Sequence, residues 1–245
     1  LHFTELSGFD PREVTRTIIN SCDVAAAEID LDIRYLLTFN RGIQTADEMI
    51  ETYRSLLDVD LTRVVGIDLA GDETNFPPEL FSKFFDLIAK EGRFGIDIHA
   101  GEVTDSKNMW TAIDQLHAHR IGHGVAAIDD PDIQEVLKKK NIFLAQCITS
   151  NYQTAAWTDE ATHPMKRLTE SGVPVTIASD DPTIQDSLLT DDYEKTVQYF
   201  GWSVDDLIDS NIKTIDSCLL SDREKAGLQA SYLESVDQFK AKMGL

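Results

Sequence analysis

Basic residues are scarce in this chain: 22 Lys and Arg stand against 43 Asp and Glu, a formal net charge of −21. Such a surface repels anionic polymers and acidic membranes and releases no counterions on meeting them. Nucleic acid and membrane are therefore not expected as partners, and the acidity reads as a solubilising surface. Cysteine is scarce too. Cys22, Cys147 and Cys218 are far apart and form no C-x-x-C pair, so neither a disulfide framework nor a cysteine-held zinc is expected. No apolar run has membrane-spanning length, and with the sparse cysteines this gives the expectation of a cytoplasmic protein. A glycine-rich phosphate fingerprint after the first strand is missing, as is any Gly/Ser linker or low-complexity tract. One domain over residues 1–245 is the expected organisation.

What is present is a repeated unit of short apolar strand, polar connection and amphipathic helix. Strands are expected at "LHFTEL" (1–6), "LDIRYLLTF" (31–39), "RVVGIDLAG" (63–71), "FGIDIHAGE" (94–102), "RIGHGV" (120–125), "IFLAQCITS" (142–150) and "VPVTIASDD" (173–181). Their Val/Ile/Leu-rich runs suit strands covered on both faces. The intervening helical patterns often start at Asp, Ser or Pro and stop at Gly or Asn, the residues that cap helix ends. After residue 181 the pattern is helical only.

Alternation of this kind predicts an α/β fold with a parallel sheet, doubly wound or closed as a (β/α)8 barrel. The polar residues gather where each strand meets the loop after it: "DLAGDE", "HAGE", "GHG", "TSN" and "SDDP". Barrel active sites collect at that C-terminal face, so the (β/α)8 TIM barrel with extra C-terminal helices is the expected fold. Seven strands are visible where the barrel takes eight. The expectation is that a first strand lies upstream of residue 1, outside this sequence; the alternative is a truncated, inactive molecule, disfavoured because an open barrel would expose a strand edge.

Those strand ends carry residue types suited to metal-assisted hydrolysis. His99 and Glu102 flank the small pair Ala100 and Gly101, which lets the backbone turn and aim both side chains into one mouth. His123 ends the next strand between two glycines, and Asp180 and Asp181 close the last strand before Pro182. Taken singly, each has a bland reading as a hydrogen-bonding or turn residue. Four polar ends on strands that converge in a barrel favour function. A catalytic zinc takes His nitrogens and a carboxylate oxygen and keeps a position open for water, a glutamic acid beside it moves a proton to the leaving part of the substrate, and His123 would orient the water or accept its proton. His99 and Asp180 supply only two ligands, so at least one more is required. The H-x-H spacing of His117 and His119 is a decoy: it precedes a strand, roughly 15–20 Å from the other face by strand length. His163 opens a helix and reads as a cap or packing residue.

The motifs "VVGIDLAGDE", "HAGE", "HRIGHGV", "CITSNYQT" and "ASDDP" together resemble, in order and spacing, the signatures of the adenosine deaminase family. The resemblance covers most of the chain. It implies a zinc-dependent barrel that hydrolyses the 6-amino group of adenosine or 2′-deoxyadenosine to inosine, or 2′-deoxyinosine, and ammonia. Carried over by position, it makes His99 a zinc ligand, Glu102 the donor to purine N1, and His123 the group that positions or activates the water. Asp180 becomes a further ligand touching that water, Asp181 an acceptor for N7, and the Gly71 backbone a close neighbour of N3, an approach that glycine permits. One zinc per chain is implied, with two further His ligands from an H-x-H pair upstream of residue 1. The segment "TELSGFD" is shorter than in relatives, which usually carry an Arg-containing extension there.

Other readings are weaker. The second class of base deaminase needs H-x-E with P-C-x-x-C, which is missing. A two-metal hydrolase would bridge its metals with a modified lysine, which "GIDLAG" does not offer. An adenine deaminase or a deaminase of methylated nucleotides stays open, and "AGDE" favours the nucleoside enzyme. A purine-binding protein without turnover would need neither Glu102 nor His123.

Overall fold

The computed structural model describes residues 8–244, so the strand expected at "LHFTEL" lies outside the described residues. The chain divides into two compact units, Leu1–Gly122 and His123–Leu245. In the first, α1 (Pro11–Glu28) starts at Asp10, whose carboxylate accepts the Arg12 N–H at 2.9 Å while Pro11 fills the first helical position. There follow β1 (Tyr35–Arg41), α2 (Ala46–Leu56), β2 (Val64–Gly71), α3 (Ser82–Glu91), β3 (Gly95–Ala100), α4 (Lys107–Asp114) and β4 (Arg120–His123). The last residue of β4 opens the second unit. A Thr45–Glu48 capping box begins α2, and Gly92 ends α3 in the left-handed region.

Strands β1, β2 and β3 pair in parallel, with Thr38 opposite Asp68 and Asp68 opposite Asp97. Side chains alternate along a strand, so this register sorts the two faces. Leu37, Phe39, Ile67, Leu69, Ile96 and Ile98 share one face and are buried. Phe39 meets Phe84 of α3 edge-on at 4.7 Å, and Tyr53 of α2 joins at 6.1 Å. At about 1.5–3 kcal/mol for each large apolar side chain buried, that face supplies much of the unit's stability. The opposite face carries Thr38, Asp68, Asp97 and, one rung further on, His99.

The second unit continues through the 3-10 turn Val125–Asp129 to α5 (Pro131–Lys140), β5 (Phe143–Gln146), α6 (Ile148–Gln153), α7 (Met165–Glu170), β6 (Val175–Ile177) and α8 (Pro182–Gln185). Then come α9 (Leu189–Lys195), a π turn (Thr196–Phe200), α10 (Val204–Ser217) and α11 (Asp222–Met243). Asp130 caps α5 by accepting from the Asp132 and Ile133 N–H groups, and Asn141 ends it at φ +54°. Strand β5 pairs with β6 in parallel, Leu144 opposite Val175 and Gln146 opposite Ile177.

Four strand ends fall short of expectation, the first being that expected over 94–102, which stops at Ala100. The strand expected over 142–150 stops at Gln146, Cys147 turns the chain, and "ITSNYQ" is helix α6. β-branched Ile148 and Thr149 suggested extension there, but tertiary contacts decided the outcome. The strand expected over 173–181 is regular only from Val175 to Ile177, and that over 120–125 ends at His123. Asp180 and His123 both have left-handed backbones, φ +58° and +60°, which leave the extended path. Among the described residues no helix is long and apolar enough to cross a membrane.

Candidate active site

In the first unit the site is built around His99, at the end of β3. Its Nδ1 lies 2.9 Å from Oδ1 of Asp68, whose other oxygen accepts from the Thr38 hydroxyl at 2.9 Å. Register explains the contact, because Asp68 opposes Asp97 and His99 stands two residues beyond Asp97 on the same face. Burial alone would raise the Asp68 carboxyl, but the His99 charge and its hydrogen bonds outweigh that and hold it below the usual carboxylate range. An ionised Asp68 can only accept, so Nδ1 of His99 carries a proton, and when the ring is neutral its lone pair is on Nε2, the arrangement a metal-binding histidine takes. Gly122 of β4 makes room for this ring, since a Cβ there would come within 2.9 Å of His99 Cγ.

Glu102 sits on the loop after β3, and a second buried carboxylate shapes that loop. Glu73 accepts the backbone N–H groups of Gly101, Glu102, Val103 and Thr104 at 2.9, 2.8, 2.7 and 3.2 Å, and Asn108 Nδ2 at 3.2 Å. Burial opposes its charge, yet those donors win and keep Glu73 below the usual range. Gly101, at φ +66°, allows the turn that points these N–H groups at one side chain. From below, fully buried Arg41 donates through Nη2 to the His99 carbonyl at 2.5 Å. Gly71 ends β2 at φ +101°, and a Cβ there would lie 2.6 Å from Asn40 Oδ1 and 2.8 Å from the Arg41 carbonyl. Glycine is required at that position by packing alone.

The second unit holds His123, Asp180 and Asp181. His123 is buried, with Nε2 4.0 Å from Asp180 Oδ2. That same oxygen accepts from Ser150 Oγ at 2.7 Å and Gln185 Nε2 at 3.3 Å. On its other side, His123 Nδ1 is 3.1 Å from Asn151 Nδ2, and Asn151 Oδ1 is 3.0 Å from His163 Nε2. Ser150 and Asn151 are available because α6 starts directly after β5. Its first turn is anchored by buried Asp192, which accepts the Thr149 N–H at 2.9 Å and hydroxyl at 2.7 Å. Asp181 follows in the exposed loop as the residue before α8, with no side-chain cap to that helix. Left-handed backbones at His123 and Asp180 are the kind of local strain that gathers at functional sites.

The rejected H-x-H pair lies where strand direction placed it. His119 Nδ1 accepts the Ile96 N–H at 3.0 Å, at the start of β3, whereas His99 is at its end. His117 is exposed, with Nε2 2.9 Å from Asp86. His163 is buried one residue before Pro164, the N-cap of α7, and its Nδ1 accepts the Met165 N–H at 3.3 Å.

Comparison with known proteins places this geometry. The adenosine deaminase family model matches residues 2–236. The chain belongs to the adenosine deaminase family. An adenosine deaminase of Aliivibrio fischeri is 40% identical over 167 residues, 68% of this chain and 50% of that protein. This chain spans about half the length of the curated relatives it matches. Among solved structures, a zinc-bound amidohydrolase from Burkholderia ambifaria superposes with a TM-score of 0.90 at 25% identity, covering 98% of this chain and 67% of that one. An adenine deaminase from Arthrobacter aurescens does so with 0.83 at 27%, covering 90% and 66%. The fold class is the α/β, (β/α)8-barrel class of these enzymes, with six of its strands among the described residues. Each unit by itself offers a donor that suits a metal: His99 in the first, whose neutral ring has its lone pair on Nε2, and the Asp180 carboxylate in the second.

Sequence reasoning missed Asp68, Glu73, Ser150 and Asn151. Asp68 had a readable signal, being a carboxylate inside the apolar strand "VVGIDLAG". A buried charge demands a partner, and that demand pointed to a functional neighbour.

Proposed function

We propose that this chain carries the reaction chemistry of a zinc-dependent hydrolase that removes the 6-amino group of adenosine and 2′-deoxyadenosine. Water adds at C6, ammonia leaves, and inosine or 2′-deoxyinosine remains. The observation that carries this reading is the His99 ring, turned by Asp68 so that Nε2 offers its lone pair, three residues before Glu102 in a chain of this family. His99 Nε2 and Asp180 are the ligands from this chain. Asp180 Oδ2 takes the bonds from Ser150 and Gln185, which hold its carboxylate in place. A catalytic zinc takes three or more protein ligands, so the H-x-H pair that the resemblance implies completes the proposal at one zinc per chain. Zinc bound there supplies a Lewis acid that brings the pKa of a water toward neutrality.

The residues of the chain do the rest. Glu102, held by a loop that Glu73 fixes, protonates N1 of the purine and so makes C6 more electrophilic. His123 orients the attacking water. Asp181 accepts a hydrogen bond in the N7 region, and the Gly71 N–H approaches N3. The whole of 1–245 acts as one domain in this reading, and the scarcity of cysteine supports a cytoplasmic location. Its partner is a small purine nucleoside, with neither nucleic acid nor membrane involved.

A second reading is deamination of the free base, favoured by the solved adenine deaminase at TM-score 0.83. The test is ultraviolet turnover by the zinc-loaded protein on adenosine, 2′-deoxyadenosine, adenine and AMP. The highest kcat/KM on the two nucleosides supports the first reading. Preference for adenine supports the second, and no turnover on any of the four contradicts both.

A further inference from the structure

We propose that Asn151 and His163 are positioning residues that lock the His123 imidazole in the tautomer with its proton on Nε2. The starting point is a group whose role is fixed. The backbone N–H of Met165 can only donate, and it donates to His163 Nδ1 at 3.3 Å. His163 Nδ1 is therefore the acceptor nitrogen, and the proton of the neutral ring is on Nε2. That N–H donates to Asn151 Oδ1 at 3.0 Å, which orients the amide with its NH2 toward His123. Asn151 Nδ2 then donates to His123 Nδ1 at 3.1 Å. A nitrogen that accepts there leaves the proton of neutral His123 on Nε2, the nitrogen 4.0 Å from Asp180 Oδ2.

Burial keeps the relay in one sense. Asn151 and His163 are almost fully buried, and Trp157 lies edge-on to His163 with ring centroids 6.4 Å apart. Burial pushes the His163 imidazole down to about 3, so at neutral pH it stays a neutral relay with one donor and one acceptor. No water is needed to set the direction, because the Met165 N–H sets it. In the deaminase reading, on which the catalytic consequence rests, neutral His123 faces the reaction as a hydrogen-bond donor. It can hold the water oxygen in place, and it has no lone pair on that nitrogen with which to take a proton.

The test reads the tautomer directly. Long-range 1H–15N correlation on metal-free, 15N-histidine-labelled protein is expected to show His123 protonated at Nε2 and bare at Nδ1. In Asn151→Asp the carboxylate accepts from the ring, and the His123 pattern should move to Nδ1–H or to the doubly protonated ring. His163→Gln, which keeps a donor toward Asn151, should retain Nε2–H. With zinc and adenosine, Asn151→Asp should lower kcat by about 10²–10⁴-fold with KM within about twofold, whereas a merely structural role would move neither the tautomer nor kcat selectively. Wild-type His123 with Nδ1–H, or an unchanged tautomer in folded Asn151→Asp, overturns the proposal. If Asn151→Asp does not fold, the wild-type and His163→Gln spectra decide. The spectra need neither metal nor substrate, so a protein that shows the Nε2–H tautomer yet deaminates no purine refutes the proposed function and leaves this lock standing.

Discussion

The two units hold their key histidines in opposite ways. In the first, His99 Nδ1 faces the Asp68 carboxylate, and Glu73 gathers the 101–104 backbone, so buried anions do the positioning. In the second, His123 Nδ1 faces the Asn151 amide, and the positioning is done by a neutral chain of amide, imidazole and backbone N–H. A carboxylate makes its histidine a lone-pair donor at Nε2; an amide NH2 makes its histidine a proton donor at Nε2. In the proposed function one ring thereby binds a cation and the other holds an oxygen. The residue type at the strand end is the same, and the partner decides the chemistry.

Substitutions can break or sharpen that contrast. The largest effect is expected from Glu102→Gln, which removes the acid and leaves both histidine partners in place. Turnover should fall by about 10²–10⁴-fold with zinc affinity unchanged, measured by steady-state rates and metal titration; a rate near wild type removes Glu102 from the mechanism. Asp68→Asn gives the first unit the kind of partner the second has. Zinc affinity should drop about 10–100-fold in competition with a chelator, and unaltered affinity would mean that the Asp68 contact does not prepare His99. Glu73→Gln removes the anion that collects the loop N–H groups. A loss of about 1–3 kcal/mol in urea unfolding is expected, with no loss if the loop holds without it.

The gentlest change is in pH. His163 is neutral when folded, with its pKa down at about 3 against an ordinary 6.5. As pH falls below 6.5 the unfolded chain takes up a proton that the folded chain refuses, so this stability is complete above 6.5 and is lost toward 3. The slope from this one group is at most about 1.4 kcal/mol per pH unit. It should disappear in His163→Gln, and an identical acid profile in that variant would show that His163 titrates normally when folded.

The contrast was only half legible in the sequence. Strand–helix alternation, helix caps and the polar strand ends at His99, Glu102, His123 and Asp180 were readable because each is a local pattern. The partners were not, because Asp68 meets His99 across 31 residues and Asn151 meets His123 across 28. Only the fold supplies those contacts. Asn151 was further hidden by "CITS", whose β-branched residues read as strand although α6 begins at Ile148. His163 read as a cap or packing residue; its bond to Met165 is local, while its second bond to Asn151 required α6 to be in place. The room that Gly122 makes for His99 was not readable, because it depends on β3 lying beside β4.

The most direct test of the distinction between the two histidines is the 15N-histidine spectrum followed while zinc is added. The account predicts that the His99 Nε2 resonance moves on binding, with Nδ1–H kept, while His123 retains its Nε2–H throughout. Loss of the His123 Nε2 proton on adding zinc, or a His99 signal that does not respond, would contradict it.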